Sequence, residues 1–315
     1  MTIFVTGAAG FIGSNLVDRL LQGRYNVIGY DNFSTGKKEF LEKALTSNKF
    51  KLIEGDLLDF DLLKDSMKNS SYCFHFAANA DVKDGLKHPK KDLEQNTIAT
   101  YNVLESMRLN NINKIIFSST GSIYGEANKI PTPENCDFPL QTSLYGASKL
   151  ACEGLIQAYC EGYDMKSWIF RFVSILGERY THGHVIDFYN KLKKDSSKLE
   201  VLGDGNQTKS YLYVQDCLDG IFLALRNSRN KVNIFNLGTD EHLTVKNSIK
   251  IITKELDYNP ELFFGKESKG WVGDNPFIYL DTSKIRDFGW EPKLTIEEAI
   301  IKTIKWIGRN KWVLN

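Results

Sequence analysis

With 315 residues and a hydrophobic fraction of 42%, the chain is long enough to bury a large α/β core and to carry a second, smaller lobe. Its 40 basic and 39 acidic residues leave a net charge of +1, so no electrostatic ground exists for a nucleic-acid or anionic-membrane partner, although a few residues can still hold phosphate locally. The odd count of five cysteines (Cys73, Cys136, Cys152, Cys160 and Cys217) argues against a disulfide framework, and without accompanying histidines or carboxylates at ligand spacing they read as packing residues, with no metal expected.

The N-terminus opens directly into an apolar run, Thr2-Ile3-Phe4-Val5, with no basic leader, and no apolar stretch reaches membrane-spanning length. A cytoplasmic protein without a membrane partner is therefore expected. A helical pattern follows from about Ser14 to Gln22, then a second strand, Asn26 to Tyr30, leading into Asp31. The pattern repeats: Lys51-Leu52-Ile53 runs towards Asp56, Tyr72 to Phe76 into Ala77-Ala78, and Lys114 to Phe117 into Ser118-Ser119. Each strand delivers small or polar residues at its carboxyl end, where open parallel sheets carry their sites. Two long helices are expected, over about 92–109 and 145–161, the second burying Leu150, Leu155, Ile156 and Ala158. Trp168 to Phe172 reads as a further strand, after which the texture changes, and Ile234 to Leu237 reads as a strand returning to the sheet. The lysines at 191, 193, 194 and 198 suit a solvated face. The expected fold class is α/β, a Rossmann-type doubly wound parallel sheet with a smaller, discontinuous lobe. Residues 1–172 with 222–260 would form the dinucleotide domain, and 173–221 with 261–315 the substrate lobe.

Thr6-Gly7-Ala8-Ala9-Gly10-Phe11-Ile12-Gly13 lies between a strand and a helix. A first glycine allows the tight turn, a second lets a diphosphate approach the backbone, and a third permits close helix packing. The helix N-terminus offers amides to the anion. Asp31 ends the next strand, 24 residues beyond Gly7, where a carboxylate accepts both ribose hydroxyls and repels an added phosphate. NAD is thus favoured over NADP, and Asp56-Leu57 is placed to clasp adenine.

Tyr145 and Lys149 stand four apart on a helix, one above the other. A phenol with a reference pKa of about 10 is a poor base until a nearby cation favours the phenolate. Alone such a pair is commonplace. Thr120, just beyond an apolar strand, supplies a hydroxyl for the same substrate oxygen, and the three features in this order describe a hydride-transfer site acting on an alcohol.

The sequence resembles the extended short-chain dehydrogenase/reductase family, in its nucleotide-sugar epimerase group, the UDP-glucose 4-epimerases among them. The resemblance covers nearly the whole chain. Its motifs are Thr6 to Gly13, Asp31-Asn32, Gly55-Asp56-Leu57, His75-Phe76-Ala77-Ala78, Asn96, Ser118-Ser119-Thr120, Tyr145 to Lys149, Arg171-Phe172, Leu202 to Gly205 and Tyr213 to Asp216. The resemblance implies that Thr120, Tyr145 and Lys149 are catalytic. Cofactor contacts would come from Gly7, Gly10, Phe11, Ile12, Gly13, Asp31, Asn32, Ser34, Asp56 and Leu57. Phe76, Ala77, Ala78, Asn96, Ser118, Tyr145, Lys149 and Phe172 would complete them. Substrate contacts would come from Thr120, Ser122, Tyr145, Ser174, His184, Lys209, Trp271 and Asp274. It also implies a homodimer through the two long helices.

Three departures concern the substrate. Ser174 stands where the family usually has asparagine, Lys209 where an arginine grips the diphosphate, and Trp271 occupies the region of another arginine. Gly121-Ser122 follow Thr120 in place of the Asp-Glu of dehydratases, which disfavours water loss. The expected reaction is NAD-dependent epimerisation at C4 of a nucleotide-diphosphate sugar through a 4-keto intermediate. A C4 dehydrogenase that releases the keto sugar, a 4-epimerase for a uronic acid, and a non-catalytic NAD-sensing or scaffold protein are the alternatives.

Overall fold

The apolar runs become strands: β1 (Thr2–Thr6), β2 (Asn26–Asp31), β3 (Phe50–Glu54), β4 (Tyr72–His75), β5 (Lys114–Thr120) and β6 (Lys166–Phe172). Shorter strands follow, β7 (Ser174–Leu176), β8 (Lys198–Val201), β9 (Thr208–Lys209) and β10 (Tyr211–Tyr213), then β11 (Val232–Leu237), β12 (Leu243–Thr244) and β13 (Glu261–Phe264). The computed structural model describes residues 1–137, 140–267 and 277–314, apart from the side chains of residues 83 and 84.

Seven strands form one sheet in the order β11-β6-β5-β4-β1-β2-β3, with parallel ladders joining β1 to β2 and β4, β2 to β3, and β4 to β5. Strand order reverses between β1 and β4, so the carboxyl ends of these two strands flank the switch point where a doubly wound sheet takes its ligand. The remaining strands pair in twos: β7 with β10 and β8 with β13 in parallel, β9 with β12 antiparallel.

Contacts divide the chain into two units. The first comprises Met1–Ile123, Ser143–Arg171 and Ala224–Phe235. The second comprises Tyr124–Thr142, Phe172–Leu223 and Asn236–Asn315. In the first, Phe4, Tyr30, Cys73, Ile115 and Phe117 from the sheet pack with Val103, Met107, Ile156 and Cys160 from two helices in one core. The second is built on the helix Ile296–Arg309, whose start is a capping box between Thr295 and Glu298, and on the helix Val245–Leu256, capped by Thr244.

Two local readings change. The long helix expected over 92–109 is a one-turn helix, Pro89–Asp92, a wider π-helical turn, Leu93–Ile98, and an α-helix, Ala99–Leu109. The helix expected over 145–161 is Leu144–Gly162, but its inward face carries Cys152, Glu153, Ile156 and Cys160, while Ala158 is exposed. Apolar periodicity missed this because the buried face includes a carboxylate. The predicted packing role of the cysteines suits Cys73, Cys152, Cys160 and Cys217, which are buried, whereas Cys136 is only half-buried.

Candidate active site

Gly7 leaves β1 with φ of +67°, and a Cβ there would lie 2.7 Å from the Ala77 nitrogen. On Gly13 a Cβ would lie 2.0 Å from the Gly7 carbonyl oxygen. Only hydrogen fits at either place. The helix Phe11–Gln22 begins at Gly10 without a side-chain cap, which leaves its first-turn amides to an anion. A cradle that any side chain would fill, ending on an uncapped helix, suits a dinucleotide diphosphate. Gly13→Ala is expected to weaken dinucleotide binding by about tenfold or more, measured by NADH fluorescence titration. Binding at wild-type strength would show that the turn does not serve the cofactor.

Asp31, only 8% exposed, accepts hydrogen bonds from the Ala9 and Phe33 amides, both at 2.8 Å. Burial pushes its carboxyl above the usual range, and these two amides pull it back. Beside it, the Asn32 amide donates to Asp56 at 2.8 Å, Ser34 N–H donates to Asn32 at 3.0 Å, and Leu58 N–H donates to Asp56 at 2.9 Å. Leu57 is buried next to this cluster. The residues expected around adenosine are thus drawn together.

At the end of β4, the Phe76 and Ala77 amides donate to Thr6 Oγ1 at 3.1 and 3.2 Å. Asn79 N–H donates to the Asn96 side chain at 2.8 Å, and Asn96 Nδ2 donates to Ser148 Oγ at 2.9 Å. Asn96 therefore links the strand-end loop to the helix that carries Tyr145. Ser118 Oγ donates to the His75 carbonyl across 3.4 Å.

Ser143 caps the helix Leu144–Gly162 by accepting from Gly146 N–H at 3.0 Å, which sets Tyr145 in the first turn and Lys149 one turn on. Thr120 Oγ1 donates to Ser122 Oγ at 3.2 Å and accepts from Ser122 N–H at 3.1 Å. Burial pushes the Tyr145 phenol up to about 12; Asp92 and Cys152 add to the rise, and the Thr120 hydrogen bond opposes it. Lys149 is 2% exposed, its ammonium 4.1 Å from the centre of the Phe117 ring. Burial brings Lys149 down to about 8, against the charges of Cys152 and Glu153.

Several residues of this site escaped sequence reasoning. Glu153, four beyond Lys149, is 1% exposed in its side chain and pairs with Arg171 on β6, whose Nη2 donates at 2.7 Å and Nε at 3.1 Å. Ser119 Oγ donates to the same carboxylate at 2.5 Å. Asp92, 1% exposed, accepts from Asn79 Nδ2 at 2.8 Å. The one available signal was the continued spacing of four from Tyr145 through Lys149 to Glu153.

In the second unit, Ser174 is exposed on β7 and Lys209 is half-buried on β9. Phe172, at the end of β6, is buried. His184, expected to meet substrate, has both ring nitrogens engaged within its own unit. Nε2 pairs with Ser248 Oγ at 2.6 Å and Nδ1 with the Tyr211 hydroxyl at 3.1 Å, and the ring stacks on Tyr211. Burial, then the charge of Lys209, takes its pKa down to about 3, so the ring is neutral. Trp271 and Asp274 lie outside the described residues. Among the described residues, no group of three or more histidines, cysteines and carboxylates is placed to hold a metal ion, and no helix is long and apolar enough to cross a membrane.

The model of the NAD-dependent epimerase/dehydratase family matches residues 3–238. The UDP-glucose 4-epimerase of Mycolicibacterium smegmatis is 32% identical over 319 aligned residues, covering 99% of each chain. Among solved structures, the UDP-glucose 4-epimerase of Thermotoga maritima with UDP-glucose superposes with a TM-score of 0.88 at 32% identity, over 99% of this chain and 100% of that one. The UDP-glucuronic acid 4-epimerase of Bacillus cereus, in complex with UDP-glucuronic acid and NAD, gives 0.90 at 27% identity, over 98% and 100%. With the glycine turn, the doubly wound sheet and this match in hand, the chain belongs to the NAD-dependent epimerase/dehydratase family.

Proposed function

We propose that this enzyme epimerises C4 of a nucleotide-activated hexose, with a UDP-sugar as the favoured substrate class. The observation that carries the reading is a helix capped by Ser143 that sets Tyr145 one turn before Lys149, with the hydroxyl of Thr120, itself bonded to Ser122, acting to lower the phenol. Bound NAD supplies the acceptor that takes hydride from the sugar carbon and returns it. Tyr145 removes the proton of the 4-hydroxyl and gives it back, and Thr120 and Ser122 hold that oxygen by hydrogen bonds. Lys149 favours the phenolate and steadies the nicotinamide ribose. Asp31, Asn32, Ser34, Asp56 and Leu57 hold the adenosine end, while Gly7, Gly10, Phe11, Ile12 and Gly13 receive the diphosphate.

Residues 1–172 with 222–260 are assigned to the cofactor, and 173–221 with 261–315 to the sugar nucleotide, where Ser174, Lys209, Trp271 and Asp274 make contacts. Binding the nucleotide remotely from C4 keeps the keto intermediate from escaping. The turn Gly121–Tyr124 places a hydroxyl, not a carboxylate, after Thr120, which speaks against dehydration. The Bacillus cereus neighbour keeps a uronic-acid sugar in contention as the second reading.

Homodimerisation through the helices around 92–109 and 145–161 is supported by Leu93, Tyr101, Leu109 and Tyr163, each about half exposed despite its apolar surface. An odd count of five cysteines suits a reducing cytoplasm. The purified enzyme, incubated with UDP-glucose, UDP-N-acetylglucosamine and UDP-glucuronic acid and followed by NMR, is expected to convert one of them to its C4 epimer without net NADH. A released keto sugar with stoichiometric NADH would replace the epimerase reading by the dehydrogenase one.

A further inference from the structure

Four buried side chains that the proposed chemistry does not use form a continuous line through the first unit: Thr6, His75, Thr100 and Cys152, each at most 1% exposed. Thr6 Oγ1 accepts the amides of Phe76 and Ala77, so its own proton is directed to His75 Nδ1 at 2.7 Å. An accepting Nδ1 puts the imidazole proton on Nε2, which donates to Thr100 Oγ1 at 3.0 Å. Thr100 then donates to Cys152 Sγ at 3.2 Å, and the thiol donates to the Asn96 carbonyl at 3.3 Å. Each link has one direction that satisfies every atom.

The two ends of this line matter. Thr6 is the last residue of β1, directly before the glycine turn. Cys152 lies on the inward face of the helix that carries Tyr145 and Lys149, three residues beyond the lysine. Asn96, which receives the thiol proton, sits in the π-helical turn Leu93–Ile98, a conformation concentrated at functional positions. Its side chain donates to Ser148 Oγ, which donates to the Tyr145 carbonyl at 2.9 Å. A line of single-direction hydrogen bonds thus runs from the diphosphate turn to the backbone of the proposed base.

We infer that Thr6, His75, Thr100 and Cys152 are positioning residues, whose one-way hydrogen-bond chain seats the Tyr145 and Lys149 helix against the glycine turn. The chemistry they serve rests on the epimerase reading; the seating does not. A doubly protonated His75 would set a second donor against the Thr6 hydroxyl and break the chain. Burial, and then the charge of Lys149, oppose that by taking His75 down to about 3. The groups that face Tyr145 are Thr120 from β5, Asp92 from the one-turn helix Pro89–Asp92, and Cys152 from its own helix. Lys149 faces Phe117 from β5, with Cys152 and Glu153 on its own helix and His75 from β4.

Thr100→Val keeps the shape and cuts the chain at its middle, Thr100→Ser keeps the hydroxyl, and Cys152→Ala with Cys152→Ser repeats the comparison one link further on. In the wild type, nitrogen NMR of His75 is expected to show one neutral tautomer, protonated on Nε2, that does not titrate between about pH 5 and pH 8. In Thr100→Val and Cys152→Ala, the Tyr145 ionisation midpoint, read as the ultraviolet difference from matched Tyr145→Phe proteins, is expected to move by about half a unit or more. The kcat should fall roughly 10- to 100-fold with KM for the UDP-sugar within about twofold, and the serine variants should recover most of it. A His75 proton on Nδ1, or valine and alanine variants with unchanged kcat and unchanged Tyr145 midpoint, would overturn the inference. If the wild type converts no UDP-sugar, the epimerase reading falls, while the tautomer and the Tyr145 midpoint still decide the chain.

Discussion

Replacing Tyr145 by phenylalanine is expected to lower kcat by roughly 10²- to 10⁴-fold, the range a positioned general base contributes. The change removes one oxygen and leaves the ring, so the helix start at Ser143 and the glycine turn should be unaltered. Steady-state kinetics on the UDP-sugar that the wild type converts, together with bound dinucleotide content and Tm, would separate lost chemistry from lost structure. In the free protein the phenol lies near 12 and Lys149 near 8, so at neutral pH the phenol is protonated and the ammonium charged. The positive nicotinamide of the cofactor is what must bring the phenol down. Wild-type kcat should therefore rise with pH as the phenol ionises in the complex, and Tyr145→Phe should lose that limb. A variant retaining kcat within about tenfold, or retaining the limb, would remove Tyr145 from the role of base.

Glu153→Ala is expected to cost about 3–5 kcal/mol of stability, because it removes the carboxylate from a buried ion pair with Arg171. Arg171 is 9% exposed in its side chain and Glu153 1%, so water cannot take over the lost partner. The loss corresponds to a fall of roughly 5 to 8 °C in Tm, read by calorimetry. Glu153→Leu combined with Arg171→Met should recover most of it, since an apolar pair of similar volume needs no solvation. Ser119, which donates to Glu153, lies between Ser118 and Thr120, so the same single change should also disturb the reactive end of β5. A Tm within about 2 °C of wild type would show the pair to be replaceable by water.

Local chemistry was legible in the sequence. Gly7, Gly10 and Gly13 announce a backbone without room for side chains, and Tyr145 and Lys149 meet because four residues make about one helical turn. The placing of Asp31, Ala77 and Thr120 at or just beyond strand ends followed from apolar runs and the α/β pattern, although β4 stops at His75 and β5 runs on through Thr120. What stayed hidden is contact between segments distant in sequence. Arg171 finds Glu153 only when β6 lies alongside β5, and an apolar pattern has no place for a carboxylate on a buried helical face. The turn Leu93–Ile98 hides because a one-residue widening barely alters helical periodicity. The partners of His184, Ser248 and Tyr211, stayed hidden because they are 64 and 27 residues away.

The chain passes from one unit to the other at 123/124, 142/143, 171/172, 223/224 and 235/236. The fourth of these boundaries falls inside the helix Val214–Asn227 and the last inside β11, so neither unit is a segment that can be cut out whole. Truncation at any single point within 124–235 would therefore orphan part of both. Exchanging the second unit for a relative's would require replacing 124–142, 172–223 and everything from 236 onward together, with splices made within β6, the helix Val214–Asn227 and β11.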